Sequence, residues 1–228
     1  MSARRARLEC RAERREVARF LRRLYRMRLT TTTGGNVSCR TADGSVAITP
    51  SGADKARVRA ADVALLSADG ALLTPGLEPS SEGSMHVRIY ARCPEVRAIV
   101  HAHPPVASVF ACADTPIDLG LLCETHALLD EPIVTPYARS GTAELAEVVA
   151  ESAARSSCII MRSHAVVTTG ATLLQAFSRL ELLEEAARAT LIARQLDGVR
   201  RLTAEQRAEL DRLVGRTGPD ERPTGHEG

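Results

Sequence analysis

The sequence predicts a single α/β domain with a central mixed or antiparallel sheet between helix layers. Three observations predict this fold. Segments with apolar residues at helical spacing alternate with apolar runs of strand length. Turns rich in Gly, Ser, Thr and Pro join many of the short runs, as they do in antiparallel sheets. The length of 228 residues is enough to bury one full core.

An amphipathic helix is predicted at the N-terminus. The first 28 residues contain eleven arginines, a density that would also suit a surface for nucleic acid or membrane. Apolar residues from Val17 to Leu24 fall at helical spacing, so one face is apolar and the arginines occupy the others. The net charge is only +2, which gives no global field to attract nucleic acid. We expect a solvated helix, with no nucleic-acid and no membrane partner.

Short strands, turns and one helix are predicted in the next part of the chain. Apolar residues between clusters of Gly, Pro, Asn and Asp indicate the strands. They are expected around residues 37–40 and 46–49 and, as a pair, around 63–73. The sequence Pro79-Ser80-Ser81-Glu82 is typical of a helix start, with Ser80 or Ser81 as the N-cap.

The second half of the chain continues this alternation. Strands are expected at about 96–103 and 158–164. Helices are expected at about 105–113, 143–155, 173–196 and 204–214. We predict a folded domain over residues 1–214 and a mobile tail over 215–228, because the tail is rich in Gly, Pro, Asp and Glu.

The cysteines and the hydropathy pattern predict a cytoplasmic protein. The six cysteines include no CxxC pair and stand mostly beside apolar residues, which suits buried reduced thiols. No segment approaches the roughly 20 apolar residues that span a bilayer. The N-terminus also lacks the apolar core of a signal peptide.

Three histidines predict a metal site. His101 and His103 are one residue apart at the end of an apolar run, so on a strand their imidazoles would point to the same face. His164 closes a second apolar run and would supply a third imidazole. Three histidines that leave one coordination position open are typical of catalytic rather than structural metal sites.

Three polar turns could bind a phosphate group. Backbone N–H groups, small hydroxyls and a helix N-terminus hold a phosphate dianion without any lysine. Each turn alone is also typical of ordinary turn or cap chemistry. The turns are Thr33-Gly34-Gly35-Asn36-Val37-Ser38, Thr49-Pro50-Ser51-Gly52 and Pro79-Ser80-Ser81-Glu82.

In this order the motifs resemble the class II aldolase and adducin family. The succession is Gly-Asn-Val-Ser, Ile-Thr-Pro-Ser-Gly, Pro-Ser-Ser-Glu, His-Ala-His and a late single histidine, and the resemblance covers residues 17–196. Within the family the chain is most similar to the branch that cleaves L-fuculose 1-phosphate. The serine pair is followed by Glu82, where the pentulose-phosphate 4-epimerases tend to carry aspartate.

The resemblance implies a role for each matching residue. His101, His103 and His164 match the ligands of Zn²⁺, with Mn²⁺, Co²⁺ and Fe²⁺ as alternatives. Glu82 matches an acid/base that can also occupy a metal position while substrate is absent. The phosphate-binding positions match Thr33, Gly35, Asn36, Ser51, Gly52, Ser80 and Ser81. The resemblance further implies a phosphorylated ketose as substrate and a homotetramer with active sites between neighbouring subunits.

The chemistry of the residues agrees with a metal-dependent aldolase. Breaking a carbon–carbon bond beside a carbinol needs an electron sink, which a divalent ion or a Schiff-base lysine can supply. Lys55 is the only lysine and is expected in a loop, so the metal route is favoured. Glu82 would then move a proton to or from the carbon of a dihydroxyacetone-phosphate-like fragment.

Departures from the family pattern leave the aldehyde half of the substrate open. The tyrosines that assist protonation in the fuculose-phosphate branch have no match, since the tyrosines here are Tyr25, Tyr90 and Tyr137. Glu124 or His126 would be the substitute proton carrier. The alternatives are a sugar-phosphate 4-epimerase, a ketose-1-phosphate dehydratase, a 3-oxo acid phosphate decarboxylase, or a non-catalytic adducin-like domain.

Overall fold

A seven-stranded mixed sheet forms the centre of the computed structural model, which describes residues 10–216. The strands are β1 Asn36–Arg40, β2 Val46–Ile48, β3 Ala64–Leu66, β4 Ala98–Ala102, β5 Ile133–Val134, β6 Cys158–Met161 and β7 Ala165–Gly170. Their order is β3-β2-β1-β4-β7-β6-β5. Neighbouring strands are antiparallel except β5 and β6, which are parallel. The predicted α/β domain with a mixed sheet is confirmed.

Helices cover both faces of this sheet. They are α1 Arg11–Arg26, α2 Gly83–Arg92, α3 Ala107–Phe110, α4 Cys123–Leu128, α5 Ala143–Ala153, α6 Leu173–Ala193 and α7 Ala204–Leu213. On one face, α1 and α6 share a core in which the rings of Phe20 and Phe177 lie 5.4 Å apart. On the other face, α2 and α5 contribute Met85, Ile89 and Val149 to a second core. Both cores consist of buried apolar side chains, and burial of this kind is the main stabilising term in a domain of this size.

The alternation of side chains along β4 decides which face the functional residues reach. Val100 and Ala102 belong to the core under α1 and α6, and Ile99 belongs to the core under α2. His101 therefore projects toward the α2 face, because side chains two residues apart on a strand share a face. Glu82 stands immediately before α2, so this helix brings a carboxylate to the same side of the sheet.

The structure corrects several predicted boundaries. Helix α2 begins at Gly83 with Glu82 at its N-cap position, so neither Ser80 nor Ser81 is the cap, and no side chain caps this end. The helix predicted at 105–113 is only the short α3. The predicted strand 158–164 ends at Met161, because a tight turn with Ser163 at φ 56° reverses the chain.

Strand β7 is a further correction to the predicted elements. The sequence prediction had no strand over residues 165–170, although β7 is fully buried and pairs with both β4 and β6. The prediction of mostly buried, reduced thiols agrees with the structure, since all six cysteines are free and only Cys112 and Cys123 are exposed.

The predicted C-terminal tail begins at residue 215, close to the end of the described residues. The predicted tail lies outside the described residues except for its first two positions, so its boundary stays a prediction. None of the helices in the described part of the chain has the length and apolar character to cross a bilayer.

Candidate metal and phosphate site

The three predicted histidines converge at one point. Each offers a ring nitrogen, and these nitrogens all lie within 4.8 Å of one another. The ring of His101 is 5.1 Å from both other rings, and those of His103 and His164 are 5.5 Å apart. His101 lies in β4, and His103 follows that strand. Because β4 pairs with β7, the turn that precedes β7 brings His164 beside them.

Hydrogen bonding fixes which nitrogen of His101 faces the cluster. Its Nδ1 lies 3.0 Å from the carbonyl oxygen of Val166, which can only accept, so Nδ1 carries the proton. In the neutral ring Nε2 then holds a lone pair, and this buried atom has no hydrogen-bond donor to accept from, because the group that it faces is the Glu82 carboxylate. Nδ1 of His164 is likewise buried without a partner. Buried acceptors of this kind are what a metal ion would satisfy.

The Glu82 carboxylate adjoins the same point. Its Oε2 lies 3.1 Å from Nε2 of His101, and its Oε1 lies 3.7 Å from Nε2 of His164. The Asn36 amide donates to Oε2 and the Ser140 hydroxyl donates to Oε1, each at 2.9 Å. An anionic oxygen and a nitrogen lone pair that face each other at this distance repel, so a cation or a proton is needed between them.

The protonation states suit a cation. Burial by itself raises the pKa of Glu82, but a proton on Nε2 of His101, acting as a hydrogen bond and as positive charge, holds that pKa well below its usual range, together with the hydroxyl of Ser140 and the amide of Asn36. Burial and the neighbouring rings of His101 and His164 lower the pKa of His103 to about 4. Burial and His101 also lower the pKa of His164. Near neutral pH the carboxylate is ionised and the rings of His103 and His164 are neutral, which are the states that bind metal.

The donor set therefore fits a divalent cation. Three imidazoles and one nearby carboxylate match the ligands that Zn²⁺ and other first-row divalent ions prefer. The carboxylate sits close enough to serve as a ligand or to remain a free base beside the ion. Three histidine ligands alone would leave a coordination position for an oxygen of a substrate.

A buried hydrogen-bond chain, which the sequence prediction missed, leads to Glu82. Nε2 of His86 lies 2.5 Å from Oδ1 of Asn36, and Nδ1 lies 2.6 Å from the hydroxyl of Ser38, which is 2.8 Å from the Tyr90 hydroxyl. His86 is completely buried, and burial together with His101 lowers its pKa to about 3, so the ring is neutral and carries one proton.

The direction of this chain follows from donor counting. Since the Asn36 amide donates to Glu82, its Oδ1 must accept from His86 Nε2–H. Nδ1 of His86 then accepts from the Ser38 hydroxyl, which accepts from Tyr90. The chain therefore fixes the Asn36 amide with its donor toward the carboxylate. In the sequence, the one signal for this hydrogen-bond chain is that His86 follows Glu82 by four residues, a spacing that puts two side chains on the same side of a helix. No sequence pattern indicated the contact of Ser140 with Glu82.

The three predicted turns meet beside this carboxylate. Backbone hydrogen bonds join the second turn to the third and to the residue before it. The Ser80 N–H donates to the Thr49 carbonyl at 3.0 Å, and the Ser51 N–H donates to the carbonyl of Glu78 at 3.1 Å. The first turn is joined to the third by the hydrogen bond from the Asn36 amide to the Glu82 carboxylate. Thr33, Gly52 and Ser81 are exposed, and Ser51 and Ser80 are partly exposed, so the turns present polar groups to solvent.

Glu124 and His126 lie elsewhere in the described chain. His126 Nε2 is 3.1 Å from the Asp211 carboxylate of α7. No hydrogen bond or ion pair between described residues links Glu124 or His126 to the histidine cluster. Tyr90 belongs to the buried chain behind Glu82, and Tyr137 is 67% exposed. The role of Glu124 or His126 as a substitute proton carrier therefore stays a prediction.

Gly35 is required by a close approach between the first turn and β4. It has φ 70°, and a Cβ atom there would lie 2.7 Å from the carbonyl oxygen of His101 and 2.8 Å from Oγ1 of Thr30. We expect Gly35→Ala to cost at least about 2 kcal/mol more in unfolding free energy than Gly44→Ala, because it adds overpacking to backbone strain. Gly44 has φ 86° and open space around it, so it is the matched control.

Denaturant unfolding of the two variants checks this expectation. Equal midpoints for the two variants would contradict it, since the strain of a positive φ is common to both.

The amino-acid sequence is similar to those of known proteins. The family model described as Class II Aldolase and Adducin N-terminal domain matches residues 15–191. An L-fuculose phosphate aldolase of Methanococcus vannielii is 33% identical over 174 residues, 76% of this chain and 93% of that protein. A 3-oxo-tetronate 4-phosphate decarboxylase of Haemophilus influenzae is 32% identical over 172 residues, 73% of this chain and 81% of that protein.

A third relative and a solved structure extend the comparison. A 5-methylthioribulose-1-phosphate/5-deoxyribulose-1-phosphate aldolase of Rhodospirillum rubrum is 36% identical over 156 residues, 68% of this chain and 69% of that protein. The structure of an L-fuculose 1-phosphate aldolase superposes with a TM-score of 0.81 at 27% identity, covering 90% of this chain and 96% of that one. The sheet and helix layers described above are thus those of a known fold.

Proposed function

Because the chain belongs to the class II aldolase and adducin family, we propose that it is a metal-dependent aldolase of ketose 1-phosphates. The reaction is the reversible cleavage of a substrate like fuculose 1-phosphate or a 5-deoxypentulose 1-phosphate into dihydroxyacetone phosphate and a short aldehyde. The observation that carries the proposal is the convergence of three histidine nitrogens within 4.8 Å beside the Glu82 carboxylate.

His101, His103 and His164 would hold the divalent cation through their ring nitrogens. Zn²⁺ is the first choice, and Mn²⁺, Co²⁺ and Fe²⁺ are the alternatives. The ion would supply a sink for the negative charge that develops on the carbon adjacent to the carbonyl group, when the bond from that carbon to the next, hydroxyl-bearing carbon breaks. Glu82 stands close enough to be a further ligand when substrate is absent.

Glu82 is the proton carrier in this proposal. Its lowered pKa makes the carboxylate the resting form, so in cleavage its first task is to accept the proton that the hydroxyl group loses on the carbon that becomes the aldehyde. The protonated carboxyl can then return that proton to the carbon of the three-carbon fragment. Asn36 and Ser140 hold the two oxygens in place, which keeps one oxygen from rotating away during the transfer.

The polar turns would bind the substrate phosphate. The proposed positions are Thr33, Gly35, Asn36, Ser51, Gly52, Ser80 and Ser81. Since backbone hydrogen bonds join the second and third of these turns, a phosphate bound there would lie at a fixed side of Glu82, and this would decide which substrate carbon lies beside the carboxylate. A homotetramer with sites between subunits and a cytoplasmic location belong to the same proposal; six free thiols suit a reducing compartment.

A decarboxylase is the second candidate, because a 3-oxo-tetronate 4-phosphate decarboxylase is among the relatives. Loss of CO₂ from a 3-oxo acid phosphate needs the same charge sink and the same phosphate anchor as aldol cleavage. A non-catalytic adducin-like domain is disfavoured, since a domain without chemistry has no need of three buried or half-buried histidines around one point.

Product analysis of the metal-loaded protein tests these candidates. We expect dihydroxyacetone phosphate from L-fuculose 1-phosphate or 5-deoxyribulose 1-phosphate, and a drop of more than about 100-fold after chelation, restored by Zn²⁺. Release of CO₂ from 3-oxo-tetronate 4-phosphate without any aldol cleavage would move the assignment to the decarboxylase. Activity that survives complete metal removal would contradict both candidates.

A further inference from the structure

Lys55 is a buried cation that the proposed reaction does not yet use. It is the only lysine of the chain, and its side chain is among the largest that are fully buried, with 2% exposure. Its ammonium has three N–H donors, and within the described residues it makes a single hydrogen bond, to the carbonyl oxygen of Pro50 at 3.4 Å. A buried ammonium with so few acceptors is costly unless another group supplies them.

The position of Lys55 is at the junction of the three polar turns. Its backbone N–H donates to Thr32 at 3.0 Å, next to the first turn, and its ammonium reaches Pro50 in the second turn. Pro50 pairs with Pro79 of the third turn in an isolated β-bridge. The Lys55 ammonium therefore lies against the second turn, which is paired with the third, and the Lys55 backbone lies beside the first.

The electrostatics of the junction favour an anion there. Burial lowers the pKa of Lys55, and the negative charge of Glu82 acts in the opposite direction. Glu82 is engaged by Asn36 and Ser140, and no direct ion pair links it to Lys55 within the described residues. A phosphate dianion would supply both the missing acceptors and the missing charge.

We propose that the Lys55 ammonium binds the phosphate group of the substrate, as the cation at the junction of the three turns. This inference rests on the proposed function for the identity of the substrate and goes beyond it in the binding residue. Amide and hydroxyl donors alone fix the direction of a phosphate, whereas a buried cation adds a charge-assisted hydrogen bond that solvent does not screen.

The single lysine allows a direct test on the unmutated protein. Labelling with [13C]lysine should give one Cε signal from the folded chain, and inorganic phosphate is the probe. We expect that signal to shift and saturate with the phosphate concentration. A Lys55 signal that stays unchanged while calorimetry records phosphate binding would overturn the proposal.

A pair of variants provides the second test. Lys55→Met keeps the length of the side chain and removes the charge, and Arg57→Met removes a cation two residues away whose side chain is 88% exposed. We expect phosphate affinity to fall about tenfold or more for Lys55→Met and to change less than about twofold for Arg57→Met. Metal content should stay unchanged in both. Phosphate binding of wild-type strength by a folded Lys55→Met protein would refute the proposal.

These measurements separate the inference from the proposed reaction. They need no turnover, so a phosphate-dependent Lys55 signal in a protein that cleaves no ketose 1-phosphate would keep the binding role and reject the reaction. Cleavage with the same KM in Lys55→Met as in the wild type would keep the reaction and reject the binding role. If Lys55→Met does not fold, the spectrum of the unmutated protein decides.

Discussion

His103→Ala is expected to abolish both metal binding and aldol cleavage, and His101→Ala should do the same. Each substitution removes one of three ring nitrogens that lie within 4.8 Å of one another. Two remaining imidazoles hold a divalent ion far less tightly, and we expect more than about 100-fold weaker binding, because losing even an outer hydrogen bond to a ligand costs 10–100-fold.

His103 is the more informative of the two positions. His101 is fully buried, so alanine there also leaves a cavity and an unpaired Val166 carbonyl, which destabilises the fold on its own account. His103 is partly exposed and is in no buried hydrogen bond given by the structure, so its removal disturbs packing little. A folded but metal-free His103→Ala protein would therefore isolate the role of the ligand.

The measurement is metal content by atomic emission after dialysis, together with release of dihydroxyacetone phosphate. His126→Ala is the control, since His126 pairs with Asp211 outside the cluster and should leave metal content unchanged. Full metal occupancy in His103→Ala would show that these imidazoles do not hold the ion.

The local part of this site could be predicted from the sequence, and the long-range part could not. The period of two in a strand placed His101 and His103 together without knowledge of the fold. The position of His164 was predicted for a different reason from the one observed, because it stands in a turn before β7 and not at the end of a strand. Hydrophobic alternation does not reveal which strands pair, and the pairing of β4 with β7 is what joins these histidines.

Burial of single polar residues was also beyond the sequence. Lys55 follows a Pro-Ser-Gly turn and was expected in a loop, yet the packing of three turns against one another covers its side chain. Ser140 reaches Glu82 from a segment 58 residues away, and no local pattern marks such a contact. In contrast, Gly35 could be recognised as a turn glycine, although the carbonyl that forbids a Cβ atom there belongs to a distant strand.

Glu82→Gln is expected to keep bound metal while turnover falls by about 10²–10⁴-fold, the usual contribution of a positioned proton carrier. Glutamine has the shape of glutamate, so its oxygen can still accept from the Asn36 amide. Its NH₂ group would face the Ser140 hydroxyl, which can rotate and accept. The substitution therefore removes the exchangeable proton site and one negative charge with little change in packing.

The control is Glu78→Gln, which removes the exposed carboxylate that precedes the third turn and should leave kcat within about twofold of the wild type. The readouts are kcat, KM and metal content of the same preparations. Wild-type turnover in Glu82→Gln would show that another group moves the proton.

Metal content decides between the two roles that Glu82 can have. If Glu82 acted mainly as a ligand, its neutralisation would lower metal content and kcat together, and added Zn²⁺ would restore both. If it carries the proton, three histidines still hold the ion, and saturating Zn²⁺ leaves kcat low. The second outcome is expected, because three histidine nitrogens remain to hold the ion, while Asn36 and Ser140 already fix the two oxygens of the carboxylate in the position of a proton carrier.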